Sequence, residues 1–176
     1  MKLNLSRGLA AAGILTASLT VVGSALAAAP SGGAYLAQSQ ALQAPSCRPT
    51  DLYVVKGRLE GAAGNRYLTV KITNVGDAPC TTGVVTRAAF RDWSGVLGSK
   101  GALSSGGAAI SLDQGRTVRT TIHWTDPGPV PAAACDKATA TLVTLRLPSL
   151  AHTWRLPLRA QVCTTPDYAP DSKPLH

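Results

Sequence analysis

Alternation of apolar and polar residues with a period of two is the feature that most constrains this chain. Leu68, Val70 and Ile72, for example, alternate with polar neighbours. Such alternation buries one face of a β-strand and exposes the other. It recurs with varying strength in seven stretches, namely 51–59, 66–74, 84–91, 108–112, 117–124, 138–147 and 153–162. No stretch between 46 and 163 shows a 3.6-residue period of helical length, so the sequence predicts an all-β domain.

Short strands separated by Gly, Pro and Asp turns are typical of antiparallel sandwiches. We therefore predict a two-sheet, immunoglobulin-like β-sandwich of about seven strands over residues 46–163. Its core is built mainly from Val, Leu, Ile and Ala. Pro157 interrupts a strong alternation, and proline is tolerated in a sheet only at an edge or a bulge. The last strand is accordingly expected at an edge or with a bulge.

The two ends of the chain differ from this domain. Lys2 and Arg7 precede an uncharged apolar run, and Ala25 and Ala27 have the spacing of a cleavage site. Residues 1–27 thus read as a secretory signal peptide, with an uncleaved membrane anchor over 8–29 as the alternative. Residues 28–45 read as a flexible spacer and 164–176, with three prolines, as an irregular tail. The predicted location is secreted, either extracellular or associated with the cell wall.

All four cysteines follow the predicted signal peptide, and an even number in an exported chain favours two disulfides. Cys47 precedes and Cys80 follows one pair of sequential strands. Cys135 and Cys163 flank the last pair in the same way. The residues that flank an antiparallel hairpin meet at its mouth, within the short separation that a disulfide needs. We predict Cys47–Cys80 and Cys135–Cys163.

A set of short motifs resembles a known family. They are Cys47 before Asp51-Leu52, Gly64, the segment TNVGDAPC at 73–80, RDWSG at 91–95, LDQG at 112–115, a strand ending in Trp124, Cys135 and Cys163. Together they resemble the secreted, mostly actinobacterial domain-of-unknown-function family 4232, over about 46–164. The chain departs from that family after Cys80, where it continues Thr-Thr-Gly-Val-Val. The resemblance implies an exported or envelope-attached β-sandwich and brings no activity.

The sequence offers no recognisable catalytic constellation. It contains neither a G-x-S-x-G nucleophile elbow nor an H-E-x-x-H zinc motif. The thiols are assigned to disulfides, and most of the aspartates lie in turn contexts. His123, His152 and His176 are the histidines, and surface positions are favoured for them over a metal site. We expect no enzyme activity, no cofactor and no metal.

A few residues are candidates for a binding surface. Trp124 and Trp154 fall on apolar faces and are expected in the core, whereas Trp93 lies in a predicted turn. Trp93 is the best candidate for an exposed binding residue, although we favour a half-buried loop anchor. Four further residues point to solvent by alternation and would form a basic stripe if their strands shared a sheet: Arg119, His123, Arg155 and Arg159. A dispersed, solvated face is the favoured alternative.

Charge narrows the classes of partner. The chain has 17 basic and 9 acidic residues. Residues 1–27 hold two of the basic ones, which leaves a net charge of about +6 without any Lys or Arg run. Dispersed charge and export argue against nucleic acid, and an anionic cell-wall polymer or an envelope protein fits better. A non-catalytic binding module is the first hypothesis, a structural spacer the second and a small secreted hydrolase the third.

Overall fold

A computed structural model describes residues 44–176, so the predicted signal peptide and nearly all of the predicted spacer lie outside the described residues. The described part contains ten strands: β1 Leu52–Ala62, β2 Asn65–Asn74, β3 Cys80–Thr82, β4 Arg87–Arg91, β5 Val96–Leu97, β6 Ile110–Leu112, β7 Thr117–Thr125, β8 Lys137–Leu147, β9 His152–Cys163 and β10 Asp171–Ser172. Four three-residue 3₁₀ helices accompany them, at Pro49–Asp51, Ala132–Ala134, Pro148–Leu150 and Pro166–Tyr168. None of the helices in this part is long and apolar enough to cross a membrane.

Two four-stranded antiparallel sheets form the sandwich. The first has the strand order β1-β2-β7-β10 and the second the order β5-β4-β8-β9, with β3 and β6 paired separately. Placing β1, β2 and β7 in one sheet and β4, β8 and β9 in the other reproduces the immunoglobulin-like arrangement. The predicted fold class is therefore confirmed. Each of the seven predicted strands is present, and β3, β5 and β10 are additional.

The core lies between the sheets and follows the alternation. Leu68, Val70 and Ile72 of β2 are fully buried, and so are Val143 and Leu145 of β8. The residues between those of β2 face outward and are only partly covered or exposed. The two tryptophans predicted in the core pack there, Trp124 buried against Phe90 and Trp154 half-buried at the margin.

The predicted position of Pro157 is confirmed. Pro157 lies in β9, which is an edge strand, and the β8–β9 register shifts between Ala140 and Leu142, opposite this proline. Since proline cannot donate to a sheet ladder, the edge and the irregularity accommodate it.

Both predicted disulfides are present. Cys47 pairs with Cys80 at a Cα separation of 4.8 Å, and Cys135 pairs with Cys163 at 5.2 Å. Each closes the mouth of two neighbouring strands, β1–β2 in the first case and β8–β9 in the second. The first disulfide thus links the segment before β1 to β3 of the separate β3–β6 pair, and the second reinforces the β8–β9 edge of the second sheet. Neither joins β2 to β8 across the core, as the immunoglobulin disulfide would.

Asn74 fixes the turn that separates β2 from β3. Its side chain is fully buried, donates to the carbonyl oxygens of Ala78 (2.9 Å) and Leu112 (2.8 Å), and accepts from the Gly76 N–H (2.9 Å). A buried amide that fills these bonds satisfies backbone groups that a loop would otherwise leave unpaired. The turn before Cys80 is thereby tied to β6.

The last thirteen residues, predicted as an irregular tail, contain one 3₁₀ turn and the two-residue β10, and they pack against the sandwich. β10 pairs with His123 and Ile122 of β7, and Leu175 is buried in the core. Ser172 is buried too, with its hydroxyl oxygen 2.9 Å from Thr86 Oγ1, and the Thr86 hydroxyl donates to the Lys173 carbonyl (2.8 Å). This packing was not predicted, because a two-residue strand and a single apolar side chain among prolines produce no visible periodicity.

Candidate functional site

The outer surface of the second sheet carries cations without acids. β4, β5, β8 and β9 contain no Asp or Glu. Arg87 and Arg91 of β4, Arg146 of β8 and Arg155 of β9 line one hollow, together with Lys100 beyond β5. We call these five residues the cationic face.

Strand register explains the shape of this surface. Arg87 lies opposite Arg146, and Ala89, two residues along β4, lies opposite Thr144, which in turn pairs with Arg155. Ala89 and Thr144 are short and buried, and the Thr144 hydroxyl donates to the Ala89 carbonyl (3.1 Å). Long basic side chains around a floor of short ones leave a hollow of about 260 Å³.

The cations of this surface lack protein counterions. Ion pairs in residues 44–176 involve Arg48, Arg58, Arg66 and His123, and none involves a member of the cationic face. The Arg87 Nε–H is buried and has no acceptor among the described residues. A buried donor without a partner is costly, and like charges directly opposite each other in a sheet are destabilising. An external anion would offset the repulsion between the like charges.

The loop between β4 and β5 presents a tryptophan beside the cationic face. Trp93 is 93% exposed and lies two residues beyond Arg91. Asp92 Oδ1 accepts from the Ser94 hydroxyl (2.6 Å) and from the backbone N–H groups of Ser94 (2.8 Å) and Gly95 (3.0 Å). These bonds, that of the Ser94 hydroxyl foremost, hold the pKa of Asp92 below its ordinary value. Trp93 therefore projects from a braced turn, and the half-buried anchor that we favoured is wrong.

The basic stripe, the less favoured reading of four surface residues, does not form. Arg119 and His123 lie on β7 in the first sheet, whereas Arg155 and Arg159 lie on β9 in the second. Of these four residues only Arg155 belongs to the cationic face. The condition on which the stripe depended, a shared sheet, is not met.

His123 has a different set of partners. Its Nδ1 lies 3.1 Å from Asp171 Oδ2 and its Nε2 lies 2.9 Å from Asn65 Oδ1, so the ring links β10 to β2. Within residues 44–176 no group of three metal-ligating side chains is assembled. The histidine thus holds the end of the chain against the first sheet.

Four members of the cationic face were not predicted from the sequence, namely Arg87, Arg91, Lys100 and Arg146. The signal that could have found two of them is the R-A-A-F-R segment at 87–91, in which arginines four residues apart share a strand face. That β8 and β9 bring Arg146 and Arg155 beside this strand is determined by the tertiary structure, and no local sequence pattern indicates it.

The fold and this surface define a disulfide-bonded, immunoglobulin-like β-sandwich with an unpaired cationic face and a braced tryptophan loop. The model of one family, domain of unknown function DUF4232, matches residues 47–173. The chain belongs to that family, and the match extends through β10. No curated protein and no solved structure matches it.

Proposed function

We propose that this protein is a non-catalytic binding module whose cationic face engages a linear polymer bearing phosphate or carboxylate groups. The observation that carries the proposal is the group of five cations without protein counterions, four of them on strands that contain no acid. Arginine presents a planar fork of donors that suits phosphate and carboxylate oxygens.

The dimensions of the face favour an extended polymer over a single small anion. Arg87 and Arg91 are four residues apart on β4, which corresponds to about 13 Å at the usual rise of a strand. The three strands that carry the arginines span roughly 10 Å across. Successive charges of a flexible chain can contact more of these cations at once than a single phosphate can. Trp93 at the end of the face offers an aromatic platform for the apolar or sugar part of such a polymer.

We also propose that the protein is exported and performs no chemistry. Two disulfides are typical of oxidising compartments outside the cytosol, which supports the signal peptide expected at 1–27. The four thiols are engaged in these bonds and are not available as nucleophiles. Aminoterminal sequencing of the protein released by the native host tests export. A start at Ala28 supports it, and a start at Met1 in a cell-retained form supports the anchor instead.

Binding is tested with fluorescein-labelled linear polyphosphate and the purified, oxidised protein. Fluorescence anisotropy should show saturable binding that weakens with salt, since cation–phosphate contacts release counterions. Labelled dextran, a neutral polymer, serves as the control and should not bind.

A second titration, with vesicles of phosphatidylglycerol, tells whether the protein binds an anionic polymer or an anionic membrane. Binding to polyphosphate and not to vesicles supports the proposal. Binding to vesicles alone would replace the polymer with a lipid surface, and binding to neither would favour a purely structural spacer.

A further inference from the structure

A second concave region lies at one edge of the sandwich, between the two sheets. The strands β1 and β9 are edges of different sheets and approach each other there. A cleft of about 370 Å³ opens between them and is separate from the cationic face. Leu59, Trp124, Pro127 and Ala160 supply its apolar wall. This volume lies in the range of small-molecule sites.

Trp124 lines this wall, and its ring carries an unsatisfied buried donor. The residue is only 2% exposed, and its indole Nε1–H has no hydrogen-bond partner among the described residues. Buried tryptophan N–H groups are normally paired, because an unpaired buried donor costs free energy. Phe90 packs edge-on against the Trp124 ring with centroids 5.2 Å apart, and it offers no acceptor atom.

The charges in the cleft favour an anion. Asp126 is its one acid, and it is already bound by Arg66, with Nε and Oδ2 2.7 Å apart, and by the Gly128 N–H at 3.1 Å. The Gly128 N–H, followed by Arg66 and Lys137, keeps the pKa of Asp126 below its ordinary value. Lys137 and Arg159 line the same cleft without an ion pair of their own in residues 44–176. The carboxylate is thus neutralised, and two cations remain.

We infer that this cleft binds a small amphiphilic anion of the aliphatic carboxylate class. Its hydrocarbon part would lie against Leu59 and Ala160, and its anionic head would bind Lys137 and Arg159. Ligand-binding pockets are usually lined by apolar side chains together with a few polar groups that converge on the ligand. Arg159, which sequence alternation singled out as a surface residue, thereby acquires a role different from that of Arg155.

The inference is tested by following the indole N–H resonances in ¹H–¹⁵N spectra of the whole protein. Three tryptophans give three such signals, and Trp124→Phe assigns one by its loss. Sodium octanoate should move the Trp124 signal saturably and slow its hydrogen exchange, while the Trp93 signal stays in place. Acetate, which has the head without the chain, should give no saturable shift.

Charge variants complete the test. Arg159→Gln and Lys137→Gln should each weaken octanoate binding roughly tenfold, the loss of one charge-assisted hydrogen bond. Arg119→Gln, on the first sheet, is the matched control and should leave binding unchanged. A Trp124 signal that octanoate does not move, or that moves equally with acetate or in both cleft variants, would overturn the inference. Polyphosphate binding should be unaffected by these variants, so the two sites can fail separately.

Discussion

Arg87 and Arg146 lie directly opposite each other across the β4–β8 pair, two like charges in register on the outer side of one sheet. Such pairs are unfavourable in a sheet. The protein carries this cost in the free state, and neither arginine has a carboxylate to offset it. Binding sites often give up stability for function, and a repulsive pair of this kind is expected on a surface that binds an external anion.

The first prediction concerns that pair. Arg146→Glu places opposite charges across the strands and should stabilise the free protein by roughly 0.2–1 kcal/mol at low ionic strength. The gain should shrink as salt screens the charges. Urea unfolding at low and high salt measures it. A variant that is less stable than the parent at low salt would contradict the reading of Arg87 and Arg146 as a repulsive pair.

The second prediction concerns the buried amide of Asn74. Asn74→Ala leaves the carbonyl oxygens of Ala78 and Leu112 and the N–H of Gly76 without their partner. Loss of such bonds in a buried place should cost about 2–5 kcal/mol of unfolding free energy. Asn65→Ala removes an amide from a half-buried place and should cost about 1 kcal/mol or less. Equal losses in the two variants would mean that Asn74 does not hold the turn as described.

The third prediction tests the docking of the carboxy-terminal residues. Gly101 is buried, and a Cβ placed there would overlap the backbone carbonyl oxygen of Pro170. Gly101→Ala should therefore displace the segment that leads into β10, at a cost of roughly 1–3 kcal/mol, and should speed its proteolysis.

Gly106→Ala is the control for this glycine. Its Cβ would lie 3.5 Å from Val85 Cγ2, an ordinary contact. Stability and proteolysis should stay near those of the parent. If the Gly101 variant behaves like this control, then residues 171–176 do not pack as the structure has them.

Much of the fold was predictable from the sequence, because local signals determine it. Each long strand carries its own alternation, and the disulfide partners follow from which strands are neighbours in the chain. The short strands β3, β5 and β10 were missed because two or three residues cannot display a period. Leu175 was missed because one apolar residue between polar and proline neighbours looks like any tail residue.

The candidate site was far less predictable. Arg155 was identified by alternation, since it points outward on a strong strand. Its neighbours on the cationic face come from β4 and β8, and no local rule tells which strands of a sandwich share a sheet. Trp93 was read as half-buried because turn tryptophans usually pack, whereas here Asp92 closes the turn by itself and leaves the ring outside.

The fourth prediction addresses that turn. The pKa of Asp92 is lowered chiefly by the Ser94 hydroxyl, so Ser94→Ala should raise it toward the ordinary value of about 3.9. Because the folded-state pKa is depressed, the ionised carboxylate stabilises the turn above its unfolded pKa. That contribution disappears as the pH falls through the folded value. A carboxyl-carbon NMR titration of parent and variant measures the change, and identical midpoints would show that the hydroxyl does not brace the turn.

The most direct test of the account compares two triple variants in the polyphosphate titration. Arg87→Gln, Arg146→Gln and Arg155→Gln together remove three charges from the cationic face. Arg58→Gln, Lys71→Gln and Arg119→Gln remove three from the first sheet, with the same change in net charge. We predict that the first triple variant weakens binding by about tenfold or more. It should also reduce the magnitude of the slope of log K against log salt by about 2, because each lost phosphate contact contributes about 0.7 to that slope. The second triple should keep affinity within roughly threefold and preserve that slope. Equal losses in both would show attraction to net charge alone and contradict the assignment of binding to the cationic face.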